Sequence, residues 1–191
     1  MNTATRVFDE LAREYDDWFD LNPGIFAAQV ESLHAVFPSA GQGLEIGVGT
    51  GRFASRLGIQ NGLDLSLPML TIARKRGVDC VQGAAEDLPY RSGMFDRVLM
   101  MTVICFMDDF PRSFREIYRV LAPGGTFVVG FLEKNGEIAR SEEARKPSGR
   151  FLRYATFRTG EEVARALEET GFLLTIKKDN RGFCVMKAKK E

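Results

Sequence analysis

Apolar side chains at Val7, Phe8, Leu11, Tyr15, Trp18 and Phe19 recur near helical spacing with acids between them, which predicts a helix over 5–19. Pro23 suits the first turn of a second helix through Ile25, Val30, Leu33 and Phe37, and Pro38 ends it. From Gly43 onward the pattern changes. Short apolar runs at 43–46, 59–64, 78–82, 96–101, 126–131, 172–177 and 182–188 predict strands. The stretches 51–57, 67–76, 111–121 and 160–170 between them read as helices. Phe114, Ile117, Tyr118 and Leu121 form one apolar stripe, and Pro123-Gly124-Gly125 breaks the chain after it. Thr159-Gly-Glu-Glu162 is a capping-box pattern, with Gly171 closing that helix. Strands alternating with helices imply an α/β fold, a mostly parallel sheet covered on both faces. The last two strands have no helix between them and should form an antiparallel edge hairpin.

Composition narrows the class without naming a function. The chain has 191 residues, 45% hydrophobic and 27% charged, which fits one ordinary globular domain. Its longest apolar run, 98–107, is too short to span a bilayer, and the first residues carry no secretory pattern. Cys80, Cys105 and Cys184 have no metal-binding spacing, so reduced thiols in a cytoplasmic protein are expected. His34, the one histidine, reads as structural or surface-exposed. The 26 basic and 26 acidic side chains cancel, which argues against binding nucleic acid through whole-molecule charge. That zero conceals an uneven spread: residues 1–20 carry a net of −4, and residues 134–158 and 174–191 a net of +4 each.

The chemistry concentrates where the first strand meets its helix. In Glu45-Ile-Gly-Val-Gly-Thr-Gly51, Gly47 permits a sharp turn, Gly49 lets a ligand approach bare backbone, and Gly51 opens the helix. A dinucleotide loop spaces its glycines G-x-G-x-x-G to seat a pyrophosphate, whereas this one reads G-x-G-x-G behind a carboxylate. Glu45 repels phosphate and can pair with an ammonium group, so a cation-bearing cofactor is favoured. Asp64, ending the second predicted strand, can accept both hydroxyls of a ribose, and Ser66 can cap the next helix. After the third strand, backbone N–H groups and Glu86 could read an adenine edge.

These motifs, with Leu63-Asp-Leu-Ser66, Ala85-Glu-Asp-Leu-Pro89, Phe95-Asp96 and Arg119-Val-Leu-Ala-Pro-Gly-Gly125, strongly resemble the class I S-adenosylmethionine-dependent methyltransferases, in particular those with small-molecule substrates. Residues 8–19 look like that group's leading helix, which lies over the cofactor. The resemblance implies a Rossmann-like seven-stranded sheet of order 3-2-1-4-5-7-6 with strand 7 antiparallel. It implies S-adenosylmethionine as cofactor and S-adenosylhomocysteine as product. Glu45 would serve the methionyl amino end, directly or through water, beside Gly47, Gly49 and Gly51. Asp64 would hold the ribose and Leu65 would lie against the adenine. Ala85 and Glu86 would frame its edge, with Met101 and Thr102 lining the methionine arm. The family often has Gly-Asp-Ala-Glu where this chain has Gly83-Ala84-Ala85-Glu86, so Glu86 or water must replace the usual acceptor for the adenine amino group. The segment after strand four also lacks the histidine of many relatives.

A single domain is therefore expected, with a helical lid at 1–38, a cofactor-binding core at 43–131, an acceptor-side segment at 132–158, and a last helix with edge hairpin at 159–191. A sulfonium methyl is already activated, so direct in-line displacement can rest on proximity and orientation. If a base is needed, Asp108, Asp109 and Tyr15 are the candidates. Arg140, Arg145, Lys146, Arg150, Arg153 and Arg158 could attract an anionic acceptor, and a solvated loop or helix face explains them equally well. A small metabolite leads as acceptor, with no metal and no membrane partner. The rival readings are a cofactor-binding regulatory protein without catalysis and a nicotinamide-dependent oxidoreductase.

Overall fold

The computed structural model describes residues 3–145 and 150–191. Three helices lead: α1 (Thr3–Glu10), α2 (Ala12–Leu21) and α3 (Pro23–His34). Seven strands follow: β1 (Gly43–Ile46), β2 (Asn61–Asp64), β3 (Asp79–Gln82), β4 (Phe95–Met101), β5 (Leu121–Leu132), β6 (Phe172–Asn180) and β7 (Phe183–Lys190). Between them lie α4 (Arg52–Leu57), α5 (Leu67–Lys75), α6 (Phe110–Val120), α7 (Glu137–Ala144) and α8 (Gly160–Thr170). The strands form one sheet in the order β3-β2-β1-β4-β5-β7-β6, and β7 runs antiparallel to both its neighbours. This is the Rossmann-like arrangement expected from the motifs.

Period-two burial explains the layering. Along β4, Val98 and Met100 enter one apolar layer with Phe114 and Ile117 of α6 and Val163 and Leu167 of α8. Leu99 and Met101 enter the opposite layer with Leu33 of α3, Phe53 and Leu57 of α4, and Leu70 of α5. End signals match chemistry read from the sequence. Thr159 and Glu162 form the capping box of α8, and Gly171 ends it with φ +99°. Ser66 caps α5 through the Met69 N–H, and Asp109 caps α6 through the Arg112 N–H.

Most boundaries shift by a few residues, and the larger differences from expectation are these. The helix expected over 5–19 is two helices, broken at Leu11. The second helix ends at His34, before Phe37. Strand β5 begins at Leu121, because Pro123-Gly124-Gly125 is absorbed by a register shift between Phe95 and Arg97. The 132–158 segment contains helix α7 and a short 3-10 turn at Leu152–Tyr154, and Glu133 bridges to Arg158.

The order reverses between β1 and β4, so the connections leaving those strands diverge to opposite sides. A crevice opens there at the carboxyl ends of the strands, where ligands bind in open α/β sheets. Gly47, Asp64 and Thr102 follow or end β1, β2 and β4 at that edge.

Candidate functional site

The glycine loop is shaped by positive φ at Gly47 (+66°), Gly49 (+52°) and Gly51 (+78°). The N–H groups of Gly47 and Val48 both donate to the Leu63 carbonyl, at 2.7 and 3.0 Å, which ties the loop to β2. A side chain at Gly47 would collide with Val103, so glycine is required by contact as well as by φ. At Gly49 an added Cβ would meet only Tyr15, 3.5 Å away. Gly51 backs onto Ala73 of α5, so its role is helix packing. Thr102 holds φ +56° while its N–H donates to the Gly130 carbonyl at 2.7 Å, a strained backbone for a β-branched residue at the mouth of the crevice.

Two carboxylates serve the loop from different depths. Asp64 accepts from the Gly49 N–H at 2.8 Å through one oxygen and from the Ser66 N–H at 2.9 Å through the other. Burial raises its carboxyl above the usual range, opposed by these hydrogen bonds. Each oxygen keeps a further lone pair. Glu45 is only 1% exposed beneath the loop, and its Oε2 has no hydrogen-bond partner. Burial pushes this carboxyl well above the ordinary value; the Ala54 N–H opposes the shift and the like charge of Asp64 adds to it.

A cavity of about 940 Å³ begins at this loop. It brings together Gly47, Gly49, Asp64, Leu65, Ala85, Glu86, Met101 and Thr102, along with Tyr15, Asp108 and Asp109. Glu45 and Gly51 lie behind the wall, outside that lining. The far side is apolar. Phe8 stacks on Phe151 with ring centroids 5.4 Å apart and meets Tyr15 and Phe106 edge to face at 5.7 and 5.1 Å. Ile25, Leu132, Ile138 and Leu152 extend this wall, with Glu142 and Arg112 among its polar groups. The sequence pattern marked Phe8 only as a helix-face residue. Phe106 and Phe151 carried no signal, because their neighbours come from distant elements.

The candidate bases separate in character. Burial, with the nearby charges of Asp64 and Glu45, raises the Tyr15 phenol far above its usual value, so it stays protonated and can donate a hydrogen bond. Asp108 and Asp109 are exposed on the rim, and one Asp109 oxygen is engaged as the α6 cap. The Cys105 thiol is pushed up to about 12 by burial, which makes it inert. His34 is exposed on α3. Among the described residues no cluster could hold a metal ion, and no helix is long and apolar enough to cross a membrane.

The basic segment is mostly not a cavity wall. Arg150 lines the cavity and pairs with Glu14, whereas Arg140, Arg145, Arg153 and Arg158 are outside the lining. Arg158 instead donates to the Met107 carbonyl at 3.1 Å and lies over the Phe110 ring, and Arg153 lies over Tyr154. Lys146 is outside the described residues.

Comparison with known proteins gives one answer on family. Residues 44–129 match the family model described as a methyltransferase domain. An uncharacterized protein of Methanocaldococcus jannaschii is 40% identical over 166 residues, covering 87% of this chain and 80% of its own length. A demethylmenaquinone methyltransferase of Symbiobacterium thermophilum is 31% identical, covering 79% of this chain and 62% of that protein. The chain spans 58% of the length of other curated relatives. The crystal structure of a Thermotoga maritima protein, described as an S-adenosylmethionine-dependent methyltransferase and possible histamine N-methyltransferase, superposes with a TM-score of 0.91 at 32% identity, covering 97% of this chain and 99% of that one. The sheet order, the glycine loop and these similarities agree, and the chain belongs to the S-adenosylmethionine-dependent methyltransferases, with S-adenosylmethionine as its cofactor.

Proposed function

We propose that this chain transfers a methyl group from S-adenosylmethionine to a small molecule with a sizeable apolar body, by direct in-line displacement. The observation that carries the reading is one continuous cavity lined both by Gly47, Gly49 and Asp64 and by the Phe8, Phe106 and Phe151 wall. At about 940 Å³ it lies near the top of the roughly 300–1,000 Å³ range of ligand pockets, which suits a site shared by two molecules.

The residues fit the cofactor. The unpartnered Oε2 of Glu45, buried beneath the loop, is a ready acceptor for an ammonium group, through water or through movement of the loop. Asp64 is oriented by the Gly49 and Ser66 N–H groups, and its remaining lone pairs suit two ribose hydroxyls. Leu65, Ala85 and Glu86 line the cavity where they would flank the adenine, and Met101 and Thr102 line it where they would flank the methionine arm. The cofactor supplies a methyl already activated on a positively charged sulfur. The protein's contribution is to orient the acceptor and exclude water, which needs no buried base. Tyr15, held protonated above the loop, can donate a hydrogen bond to a bound molecule, while Asp108 and Asp109 on the rim can take up a proton once the methyl has moved.

The relatives' names carry two different acceptors, demethylmenaquinone and histamine, so the cavity walls support the acceptor class. Among the described residues, the lining beyond the loop sets Arg112 and Arg150 against Asp108, Asp109 and Glu142, which favours a neutral or amine-bearing acceptor over an anionic one.

Calorimetry with S-adenosylmethionine, S-adenosylhomocysteine and NAD, followed by S-adenosylhomocysteine release across paired amine, neutral and carboxylate acceptors, tests this. Substituting Asp64→Ala should weaken cofactor binding by roughly 1–3 kcal/mol through lost charge-assisted hydrogen bonds. Tighter binding of NAD would reverse the cofactor assignment. Good cofactor binding with no product from any acceptor would favour a non-catalytic partner role.

A further inference from the structure

Helix α2 carries Tyr15 and Phe19 into the cavity, and helix breaks at Leu11 and at Asn22 bound it on both sides. Phe19 anchors its C-terminal half by packing edge to face on Phe26 and Phe53. The half nearest the glycine loop is held differently. Arg52 Nε donates to Asp16 Oδ1 at 2.8 Å, and an Arg76 terminal nitrogen donates to Asp16 Oδ2 at 2.8 Å. The other terminal nitrogen of Arg76 donates to the Thr50 carbonyl within the glycine loop, also at 2.8 Å. One guanidinium thus touches both the covering helix and the loop it covers.

These are not loose surface pairs. The Asp16 side chain is 15% exposed, against 14% for Arg52 and 26% for Arg76, so solvent screening is limited. Burial alone would raise the Asp16 carboxyl, but hydrogen bonds from Arg52 and Arg76 outweigh it and hold it at about 2. Arg52 is the first residue of α4 and Arg76 follows α5, so Asp16 joins three separate parts of the chain. It directly follows Tyr15, whose ring faces Gly49.

We propose that Asp16 is a positioning residue: its carboxylate latches α2 to the glycine loop and to the end of α5, fixing Tyr15 over Gly49 and setting how long the cofactor stays bound. The part concerning residence rests on the cofactor site described above. The latch itself does not. Asp20 remains on Arg52 when Asp16 is neutralised, with bonds of 2.6 Å, so an Asp16→Asn protein keeps one of its arginines paired and should fold.

Two measurements on the full chain separate the claims. Hydrogen exchange of the α2 amides in the ligand-free protein reads the latch directly. Stopped-flow dissociation of S-adenosylhomocysteine reads residence, using Trp18, which lines the cavity and is the chain's one tryptophan. In Asp16→Asn, both rates should rise roughly tenfold or more, the size expected on losing one or two charge-assisted hydrogen bonds. Asp16→Glu, which keeps the charge, should recover most of the slow dissociation, while Asp16→Asn should melt lower yet stay folded at the assay temperature, with exchange of the α2 amides rising more than that of the sheet amides. Unchanged α2 exchange would overturn the latch. Faster exchange with unchanged dissociation would overturn its role in residence, as would rates that simply follow global unfolding. Failure of the wild-type protein to bind S-adenosylhomocysteine would instead overturn the cofactor site, and the ligand-free exchange would still decide the latch.

Discussion

A Cβ added at Gly47 would collide with Val103 on a backbone already at φ +66°, so Gly47→Ala is strained twice over. We expect it to destabilise the protein by roughly 1–3 kcal/mol and to weaken cofactor binding, measured by chemical denaturation and calorimetry. Gly49→Ala meets only Tyr15 at ordinary van der Waals distance, so its cost comes mainly from φ +52°. The need for glycine at both positions is legible in the G-x-G-x-G spacing. The reason at Gly47 is not, because Val103 is 56 residues away in the chain and arrives only when β1 and β4 pair. Glu45 shows the same division. Its type and place in the motif imply an ammonium partner, while its depth behind the cavity wall appears only in the fold.

At the scale of elements, Arg97 explains how β4 is tied to the helices around it. The residue is 1% exposed, and its guanidinium donates to the carbonyls of Pro38, Gly41, Leu57 and Gly58 at 2.6–3.3 Å. Two of those carbonyls end α4, where orphan acceptors and the negative end of the helix dipole favour a cation. Its place between Asp96 and the apolar run that starts at Val98 offers no hint of this, since a charged strand residue normally points to solvent. Arg97→Met should cost roughly 2–4 kcal/mol in chemical denaturation by leaving those carbonyls without donors. A loss below the usual range for surface substitutions would mean water replaces the guanidinium. The leading helices were legible as amphipathic segments, but the break at Leu11 was not, because no proline or glycine marks it. Helix α7 was missed because its few apolar residues are scattered among charges.

For the whole molecule, carboxyls shifted in opposite directions shape the pH response, Asp16 lowered by its arginines, Glu45 and Asp64 raised by burial. Asp16 falls from an ordinary 3.8 to about 2, so its stabilising contribution is present above the unfolded value and lost as pH falls through about 2. Glu45 is raised above its ordinary 4.5, so the folded protein retains a proton that the unfolded chain releases. Stability of the cofactor-free protein should therefore decline as pH rises from 4.5 toward Glu45's own elevated value, and Glu45→Gln should flatten that decline. Because a cationic ligand favours the ionised form, affinity for S-adenosylmethionine should rise with pH across the same window in the wild type but not in Glu45→Gln. Denaturation and calorimetry over that range check both trends. The formal charge of zero resolves in the same way. Acids of the N-terminal helices pair with Arg52, Arg76 and Arg150 of the body, while most of the described arginines of the basic segment lie outside the cavity lining. Periodicity and end signals determined the alternating strands and helices, because those depend on local backbone demands, and the ordered motifs, through their resemblance to a known family, implied the sheet order and the cofactor. Only the tertiary structure decided the aromatic wall and the pairing of Asp16 with Arg52 and Arg76, because each is made by side chains from elements that nothing but packing brings together.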